Sequence, residues 1–210
     1  SEKETLLREL YHRTKNNMYL IISLLGLRES ELSSEADRVI FREMSGRIRT
    51  MALVHEKLYR SPDLSHILFD DYLRELVALL AEGLPADGIR FEFDLESVEL
   101  SVDQALPLGL VIYELLVNSL RHAFPEGRGR VGLGLHPLRD GRIGRLELIV
   151  WDDGIGLPEG FDPSKGESMG FQIVTSIVEH QLGGAISFGG VKGTRCSIVV
   201  PMGEAEKMTR

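Results

Sequence analysis

The sequence has little cysteine, no excess of positive charge and no long apolar run. With one cysteine, Cys196, in 210 residues, no internal disulfide can form, which fits a reducing compartment. The formal net charge of −8 argues against non-specific binding to nucleic acid, because such binding needs a basic surface. The apolar runs are far shorter than the roughly 20 residues that a bilayer-spanning helix needs. We therefore expect neither a nucleic-acid partner nor membrane contact for these residues.

The sequence also shows neither the pattern of a signal peptide nor that of a metal-binding cluster. It opens on the charged stretch Ser1-Glu2-Lys3-Glu4, in which three of four residues are charged and which leads directly into a helical pattern. No group of histidines and cysteines has the spacing of a zinc site. These features predict a cytoplasmic piece of a longer protein, with any sensing or membrane-spanning part upstream.

Two long amphipathic segments begin the chain. Apolar residues recur at intervals of three and four over residues 3–30 and 36–60, with a polar, serine-rich turn between them. This pattern predicts an αα-hairpin that cannot bury its apolar stripe alone. We expect it to pair with a second copy into a four-helix bundle, or to pack against the rest of the chain. Pro62 ends the second helix, so the first domain is predicted at 1–62.

The second predicted domain, at 66–204, mixes helices and strands. Because its elements are segregated rather than strictly alternating, they predict an α+β fold: a two-layer sandwich with a mixed or antiparallel sheet. The predicted helices cover 69–83, 103–124 and 168–182, and the predicted strands cover 89–95, 130–138, 145–154, 185–190 and 193–201.

The motif ELLVNSLRH places polar residues on an apolar helix. Glu114, Asn118 and His122 are spaced by four, so they share one face. Polar groups on a buried face need partners or a ligand. A carboxylate with an amide oxygen suits Mg²⁺, whose remaining ligands are usually waters and phosphate oxygens. An ordinary helix with a polar face would explain this motif equally well.

Three glycine motifs follow in the second domain. In VWDDGIGLP, Asp152 ends an apolar strand and could accept a hydrogen bond from an exocyclic amine such as that of adenine, while Gly154 and Gly156 permit a sharp turn. Gly170 begins a helix whose free N–H groups could hold phosphate. Gly193-Thr194 precedes the last strand. Taken singly, each motif is more typical of a plain turn or helix start.

In order and spacing, the four motifs together resemble the Bergerat-type ATP-binding domain of histidine kinases, gyrase-type topoisomerases, Hsp90 chaperones and MutL. Glu114 and Asn118 resemble its N box, and Asp152 to Gly156 its G1 box. Gly166 to Gly170 resembles the G2 box, although Ser168 stands where many relatives have glycine, and Gly193-Thr194 resembles the closing pair.

The resemblance implies a set of roles around ATP and Mg²⁺. Asn118 would ligate the metal with Glu114 beside it, and Asp152 would read the adenine amine directly and through a water shared with Thr194. Arg121 and His122 would lie near the phosphates. Gly156 and Gly170 would bound a lid at 157–169 that closes on ATP.

The first helix carries a second resemblance. ELYHRTKNNMYLIISLLGLRES is similar to the H box of the HisKA_2 subfamily of sensor histidine kinases, close to the HWE group, and RIRTMALVHEKLYRS is similar to its second helix. The resemblance implies that His12 is the phosphoacceptor, exposed to solvent. Glu9 and Asn16 share its helical face and could orient the ring. Arg13 stands where the larger HisKA family has an acidic residue, which leaves Glu9 and Glu114 as candidate bases.

These resemblances imply an ATP-dependent, autophosphorylating histidine kinase of a two-component system. The γ-phosphate would pass to His12 and then to an aspartate of a response-regulator receiver domain, and the hairpin would form a homodimer. One alternative is a non-catalytic phosphotransfer or docking scaffold with a degenerate ATP domain. Another is an ATPase of the same fold that acts by conformational change or phosphorylates a serine.

Overall fold

The computed structural model of the protein describes residues 2–62, 64–83, 88–138, 144–158, 160, 169–190 and 192–202. The chain forms two compact units. One comprises Ser1–Ile67 with Ser101–Leu110, and the other comprises Leu68–Leu100 with Val111–Arg210. The assignment of functional domains to 1–62 and 66–204 stays a prediction.

The first unit contains the predicted αα-hairpin, which is confirmed. Helix α1 runs over Glu2–Glu31 and helix α2 over Glu35–Arg60. Ser34 caps α2, since its hydroxyl accepts a hydrogen bond of 3.3 Å from the backbone N–H of Asp37. The serine-rich turn therefore ends at Ser34, whose hydroxyl accepts a hydrogen bond from a backbone N–H that has no partner within the first turn of α2.

The hairpin leaves large apolar side chains exposed. Among the described residues of α1, Ile22 alone is buried, whereas α2 buries Thr50, Ala52, Val54 and Leu58. The exposed apolar face, as we call it below, consists of Leu6, Leu10, Leu20, Leu24 and Leu27 on α1 with Ile40 and Met44 on α2. Large exposed apolar side chains that recur along a helix are typical of an interaction site.

The other elements follow in chain order. They are β1 His66–Leu68, α3 Phe69–Gly83, β2 Ile89–Leu95, β3 Glu99–Ser101, α4 Val102–Asn118, β4 Gly129–Leu138, β5 Arg145–Asp152, α5 Met169–Thr175, β6 Ala185–Gly189 and β7 Arg195–Pro201. The three-residue strands β1 and β3 were not expected, because segments so short show no periodicity.

Within the described residues, five strands of the second unit form one mixed sheet in the order β2-β4-β5-β7-β6. Strand β2 pairs with β4 in parallel and the other pairs are antiparallel. Side chains of β7 alternate between buried and partly exposed, so one sheet face is buried. Helical residues of the same unit, such as Tyr72 and Leu116, are also fully buried. The predicted α+β two-layer sandwich is confirmed.

Two helices end in a π-helical turn. Helix α4 continues as a π-turn over Ser119–Ala123, and α5 continues as one over Ser176–Gln181. The sequence predicted single α-helices at 103–124 and 168–182. The hydrogen bonds of a π-turn span one more residue than those of an α-helix, which rotates the following side chains. The first π-turn directly follows Asn118 and contributes residues to the cavity described below.

Across the described part of the chain, every helix is too short or too polar to cross a lipid bilayer. Helices α1 and α2 have the length but carry charged residues throughout.

Candidate functional site

The second unit contains a cavity of about 350 Å³ beside the C-terminal half of α4. This volume lies within the range of small-molecule sites. The wall combines apolar side chains with a few polar ones. It is formed by Leu115, Asn118, Ser119, His122, Ala123, Val150, Asp152, Ile155, Gly156, Leu157, Pro158, Phe171, Phe188, Thr194 and Cys196.

Asp152 is the buried acid of this cavity, with 4% of its surface exposed. One carboxylate oxygen accepts a hydrogen bond of 2.9 Å from the hydroxyl of Ser119. The other accepts backbone N–H bonds from Gly154 at 3.1 Å and Thr194 at 3.2 Å. A carboxylate offers about four acceptor positions, so the group can accept one more donor from a ligand. The three hydrogen bonds fix the orientation of the carboxylate, and with it the direction of the remaining lone pair.

The sequence did not identify Ser119 as a site residue. Its hydroxyl lies in the apolar run LLVNSL, where a buried polar group needs a partner. That requirement was the available signal, but the partner is Asp152, 33 positions later in the chain. Only the folded structure brings the two residues together.

The glycines of the predicted G1 motif are required by close backbone approach. A Cβ on Gly154 would lie 2.2 Å from the carbonyl oxygen of Ala123, which is too close for any other residue. Gly156 has φ +78°, a conformation that favours glycine. The backbone of Gly154 can therefore donate to Asp152 while the chain turns along the cavity wall.

Glu114, Asn118 and Gly170 come together at one edge of the site. A Cβ on Gly170 would lie 2.9 Å from Glu114 Oε2 and 3.6 Å from Asn118 Nδ2. Glu114 is buried, and the buried Nδ2 of Asn118 has no hydrogen-bond partner within the described part of the chain. A buried amide without a partner is costly, which suggests a ligand there. The start of α5 thus faces the predicted N-box pair.

The cluster does not form a metal site from protein ligands alone. Among the described residues, no three histidine, cysteine, aspartate or glutamate side chains converge as metal ligands. A cation at Glu114 and Asn118 would need further oxygens from water or phosphate, which is usual for Mg²⁺.

The other predicted nucleotide contacts differ in position. His122 and Thr194 line the cavity, whereas Arg121 is not among the described residues that do. Of the predicted lid at 157–169, Leu157 and Pro158 belong to the cavity wall. Residues 159 and 161–168, including Gly166 and Ser168 of the predicted G2 motif, lie outside the described residues.

Asp153, which directly follows β5, is bound by Arg130 on strand β4. The backbone N–H and side-chain Nε of Arg130 donate hydrogen bonds of 2.6 Å and 2.9 Å to its carboxylate. Partial burial alone would raise the pKa of Asp153, but the hydrogen bonds and positive charge of Arg130 lower that pKa overall. The contact with Arg130 therefore anchors Asp153, which lies between Asp152 and Gly154 in the turn.

His12 lies exposed on α1, as the sequence predicted. The Nδ2 atom of Asn16 lies 3.4 Å from His12 Nδ1, and the ring of Tyr59 on α2 lies 5.9 Å from the imidazole centroid. The carboxylate of Glu9 accepts hydrogen bonds from the guanidinium of Arg13, at 2.9 Å from its Nε. Asn16 is therefore the helical neighbour whose side chain contacts the imidazole, and the roles predicted for His12, Asn16 and Glu9 remain predictions.

His55, the second histidine of the hairpin, has a different environment. Its ring lies 5.8 Å from that of Tyr11, and its Nδ1 is buried without a hydrogen-bond partner in the described residues. Burial lowers its pKa, so the ring is neutral at pH 7.

Two protein families match the chain. Residues 9–83 match HisKA_2, described as "Histidine kinase". Residues 103–204 match HATPase_c, described as "Histidine kinase-, DNA gyrase B-, and HSP90-like ATPase". The second match covers the cavity, Asp152 and the Glu114–Asn118 pair, and it implies ATP binding.

Curated relatives resemble almost the whole chain. Sensor histidine kinase PdtaS of Mycobacterium tuberculosis is 31% identical over 209 residues, which cover 98% of this chain and 41% of that protein. Blue-light-activated histidine kinase 2 of Erythrobacter litoralis is 26% identical over 215 residues, covering 99% and 60%. The chain thus spans 41% of the length of the first relative and 60% of the second.

A solved structure has the same fold. The histidine kinase domain of the Erythrobacter litoralis EL346 blue-light-activated histidine kinase matches with a TM-score of 0.68 and 24% identity. The match covers 96% of this chain and 95% of that one.

The sheet order, the cavity with its buried acid and the ATPase-family match define an ATP-binding domain of the Bergerat class. This domain follows a helical hairpin of the HisKA_2 type. The chain thus joins a HisKA_2 histidine-kinase region to an HATPase_c region, and the relatives named above are histidine kinases.

Proposed function

We propose that the protein is an ATP-dependent kinase that phosphorylates its own His12 and then donates the phosphoryl group to an aspartate of a response-regulator receiver domain. One observation carries this proposal. The same chain presents an exposed imidazole, contacted through Nδ1 by Asn16, and a cavity with a buried, hydrogen-bonded Asp152. The first group can accept a phosphoryl group, and the second can hold the nucleotide that supplies it.

Asp152 would recognise the adenine base. Three donors already fill part of its acceptor capacity and fix its orientation, which leaves room for the exocyclic amine of adenine. The apolar wall around it, including Leu115 and Val150, suits the faces of a purine. Thr194, whose backbone N–H bonds to Asp152, lines the same cavity, and a water would join its hydroxyl to the base.

Glu114 and Asn118 would hold Mg²⁺ beside the phosphates. Their oxygens are of the type this ion prefers. The buried Nδ2 of Asn118, which lacks a partner in the described residues, is a donor and would bond a phosphate or water oxygen beside the ion. When bound, the ion would offset the negative charge of the triphosphate. The backbone of Gly170 leaves room next to both side chains, and His122 and Arg121 would supply donors to phosphate oxygens.

At the acceptor, the orientation of the Asn16 amide selects the attacking nitrogen. The structure places the Nδ2 donor of Asn16 toward Nδ1, an arrangement that puts the imidazole proton on Nε2. Turning the amide so that its oxygen faces Nδ1 would keep the proton on Nδ1 and leave the Nε2 lone pair free for attack. The Nε2–phosphorus bond would form as the bond from the γ-phosphorus to the β–γ bridging oxygen breaks, and ADP would leave. The imidazole proton would then pass to a carboxylate, for which Glu9 and Glu114 remain the candidates. To act as the base, Glu9 would have to release its hydrogen bonds from Arg13 and bond to the imidazole N–H.

The hairpin would act as a homodimer. Its exposed apolar face includes Leu6, which is 62% exposed, and Leu27, which is 64% exposed. A second hairpin would cover this surface in a four-helix bundle.

Labelling with γ-³²P-ATP and Mg²⁺ tests the proposal. We expect label that is stable in base and lost in acid, as a phosphoramidate bond requires. His12→Gln should abolish the label and Asn118→Ala should nearly abolish it. His180→Gln, at another exposed histidine, should leave it unchanged.

Two outcomes would favour the alternatives. No calorimetric binding at millimolar ATP would indicate a scaffold with a degenerate ATP domain. Acid-stable label, or free phosphate release that His12→Gln leaves unchanged, would indicate an ATPase or a serine kinase of the same fold.

A further inference from the structure

The ring of Tyr59 on α2 lies beside the imidazole of His12 on α1. The two ring centroids are 5.9 Å apart and the planes are tilted by 45°. This separation lies within the range of attractive aromatic pairs. Tyr59 is 42% exposed, so the pair lies at the surface of the hairpin.

Arg8, one helical turn before His12, holds Tyr59 in place. Its Nη1 donates a hydrogen bond of 2.6 Å to the carbonyl oxygen of Tyr59, and its guanidinium carbon lies 5.9 Å from the centre of the Tyr59 ring. The first contact fixes the backbone of α2 relative to α1, and the second restrains the ring. Both survive removal of the phenol hydroxyl.

Further contacts fix the alignment of the two helices around this point. Lys15 Nζ lies 4.0 Å from the carboxylate of Glu56. The hydroxyl of Tyr11 donates a hydrogen bond of 3.0 Å to the carbonyl oxygen of Leu64, which ties α1 to the segment that follows α2. The position of Tyr59 beside His12 therefore follows from several contacts of the hairpin and not from one side-chain rotamer.

We propose that Tyr59 is a positioning residue for His12. An exposed histidine on a helix would otherwise sample several rotamers, and phosphoryl transfer needs the attacking nitrogen near 3 Å from phosphorus and in line with the leaving group. Asn16 contacts the ring edge at Nδ1 and Tyr59 contacts the ring from the other helix. Together they would restrict rotation of the imidazole, and Nε2 is the ring nitrogen that Asn16 does not contact. This inference rests on the proposed function of His12.

The inference predicts a loss of rate without a loss of ATP affinity. Tyr59→Leu keeps apolar bulk and the backbone contact with Arg8 but removes the aromatic ring. We expect kcat of autophosphorylation to fall by about three- to tenfold, the range that corresponds to one aromatic pair. KM for ATP should stay within about twofold, since restricting the acceptor is a transition-state effect. Tyr59→Phe, which keeps the ring, should restore most of the rate.

A spectroscopic readout separates positioning from loss of structure. In the intact chain labelled with ¹³C-histidine, the ring resonances of His12 should shift in Tyr59→Leu and stay near their wild-type positions in Tyr59→Phe. Tyr19→Leu, which replaces another exposed tyrosine of the hairpin, should change neither the rate nor these resonances.

The outcomes distinguish this inference from the proposed function. If the wild type carried no acid-labile label on His12, the proposed function would fail. If the wild type were labelled on His12 while Tyr59→Leu matched its kcat, the positioning role alone would be wrong. Equal losses in Tyr59→Leu and Tyr59→Phe would also contradict it, because the ring would then not be the relevant group.

Discussion

At the scale of single residues, the carboxylate of Asp152 organises the nucleotide cavity. Its three hydrogen bonds join the π-turn after α4, the turn after β5 and the residue before β7. A buried carboxylate with several donors keeps one orientation, which a recognition group for a flat base requires. The same contacts tie the cavity wall to the fold.

Asp152→Asn should weaken ATP binding by about 10- to 100-fold, the usual value of a hydrogen bond to a charged group. The asparagine can still accept the backbone N–H bonds but loses the second acceptor oxygen. Isothermal titration calorimetry of the Mg²⁺–ATP complex measures the effect. Ser119→Ala should weaken binding less, because it removes one orienting bond and keeps the charge. An unchanged Kd in Asp152→Asn would exclude Asp152 from base recognition.

Gly154→Ala should disrupt the turn after β5. The new Cβ would lie 2.2 Å from the carbonyl oxygen of Ala123, so the backbone must move. Overpacking of this kind typically costs about 1–3 kcal/mol. We expect Tm to fall by about 2–12 °C for a chain of this size and ATP binding to weaken. Gly189→Ala is the matched control, since a Cβ there meets no atom within 4 Å. Equal effects of both substitutions would argue against the close approach.

At the scale of secondary-structure elements, the Asp153–Arg130 pair links the start of β4 to the turn after β5. Arg130 also lies 5.8 Å from the ring of Trp151, and its Nη1 is 3.4 Å from Glu92 on β2. The turn that carries Gly154 is therefore braced from the neighbouring strands. Since Asp152 and Asp153 are adjacent, this brace also restrains the cavity acid.

Asp153→Asn should make stability less dependent on acid pH. The pKa of Asp153 is lowered in the folded protein from its ordinary value of 3.8. Such a group stabilises the fold fully above the unfolded-state pKa, and the contribution is lost as pH falls through the folded-state pKa.

The difference in unfolding free energy between wild type and Asp153→Asn should therefore be full at pH 7 and shrink below about pH 4. Urea unfolding across pH 7 to 3 measures it. The control is Glu126→Gln, which changes an exposed carboxylate in the turn before β4. A difference that stayed constant across this range would contradict a lowered pKa.

The sequence predicted most elements of the second unit and the ends of some of them. Periodicity identified the strand at 89–95 and the helix at 69–83 at the observed bounds. It could not separate a π-turn from an α-helix at Ser119–Ala123, because both place apolar residues at similar spacing. Neither Ser119 nor Arg130 was assigned to the site, since their partners Asp152 and Asp153 are distant in sequence and only tertiary structure brings them close.

At the scale of the whole molecule, the exposed apolar face of the hairpin is a surface that a single chain leaves in contact with water. The sequence predicted this outcome, because two helices with one apolar stripe each cannot cover it fully. It could not predict which apolar residues stay exposed. That division depends on how α1 and α2 align, which contacts such as Arg8 with Tyr59 determine.

Leu24→Glu should convert the proposed homodimer into a monomer. Leu24 is 54% exposed within the apolar face, and a dimer would bury the introduced charge. Size-exclusion chromatography with light scattering should give twice the chain mass of 23.5 kDa for the wild type and that mass for the variant. Leu68→Glu, at another exposed leucine outside the hairpin, should remain a dimer. A monomeric wild type would refute the proposed homodimer.

Mapping the phosphorylated residue tests the central claim most directly. The intact protein would be incubated with γ-³²P-ATP and Mg²⁺, digested at alkaline pH, and its labelled peptide sequenced by electron-transfer mass spectrometry. We predict a single phosphoryl group, on the imidazole of His12. A phosphoryl group on any other side chain, with His12 unmodified, would contradict the account.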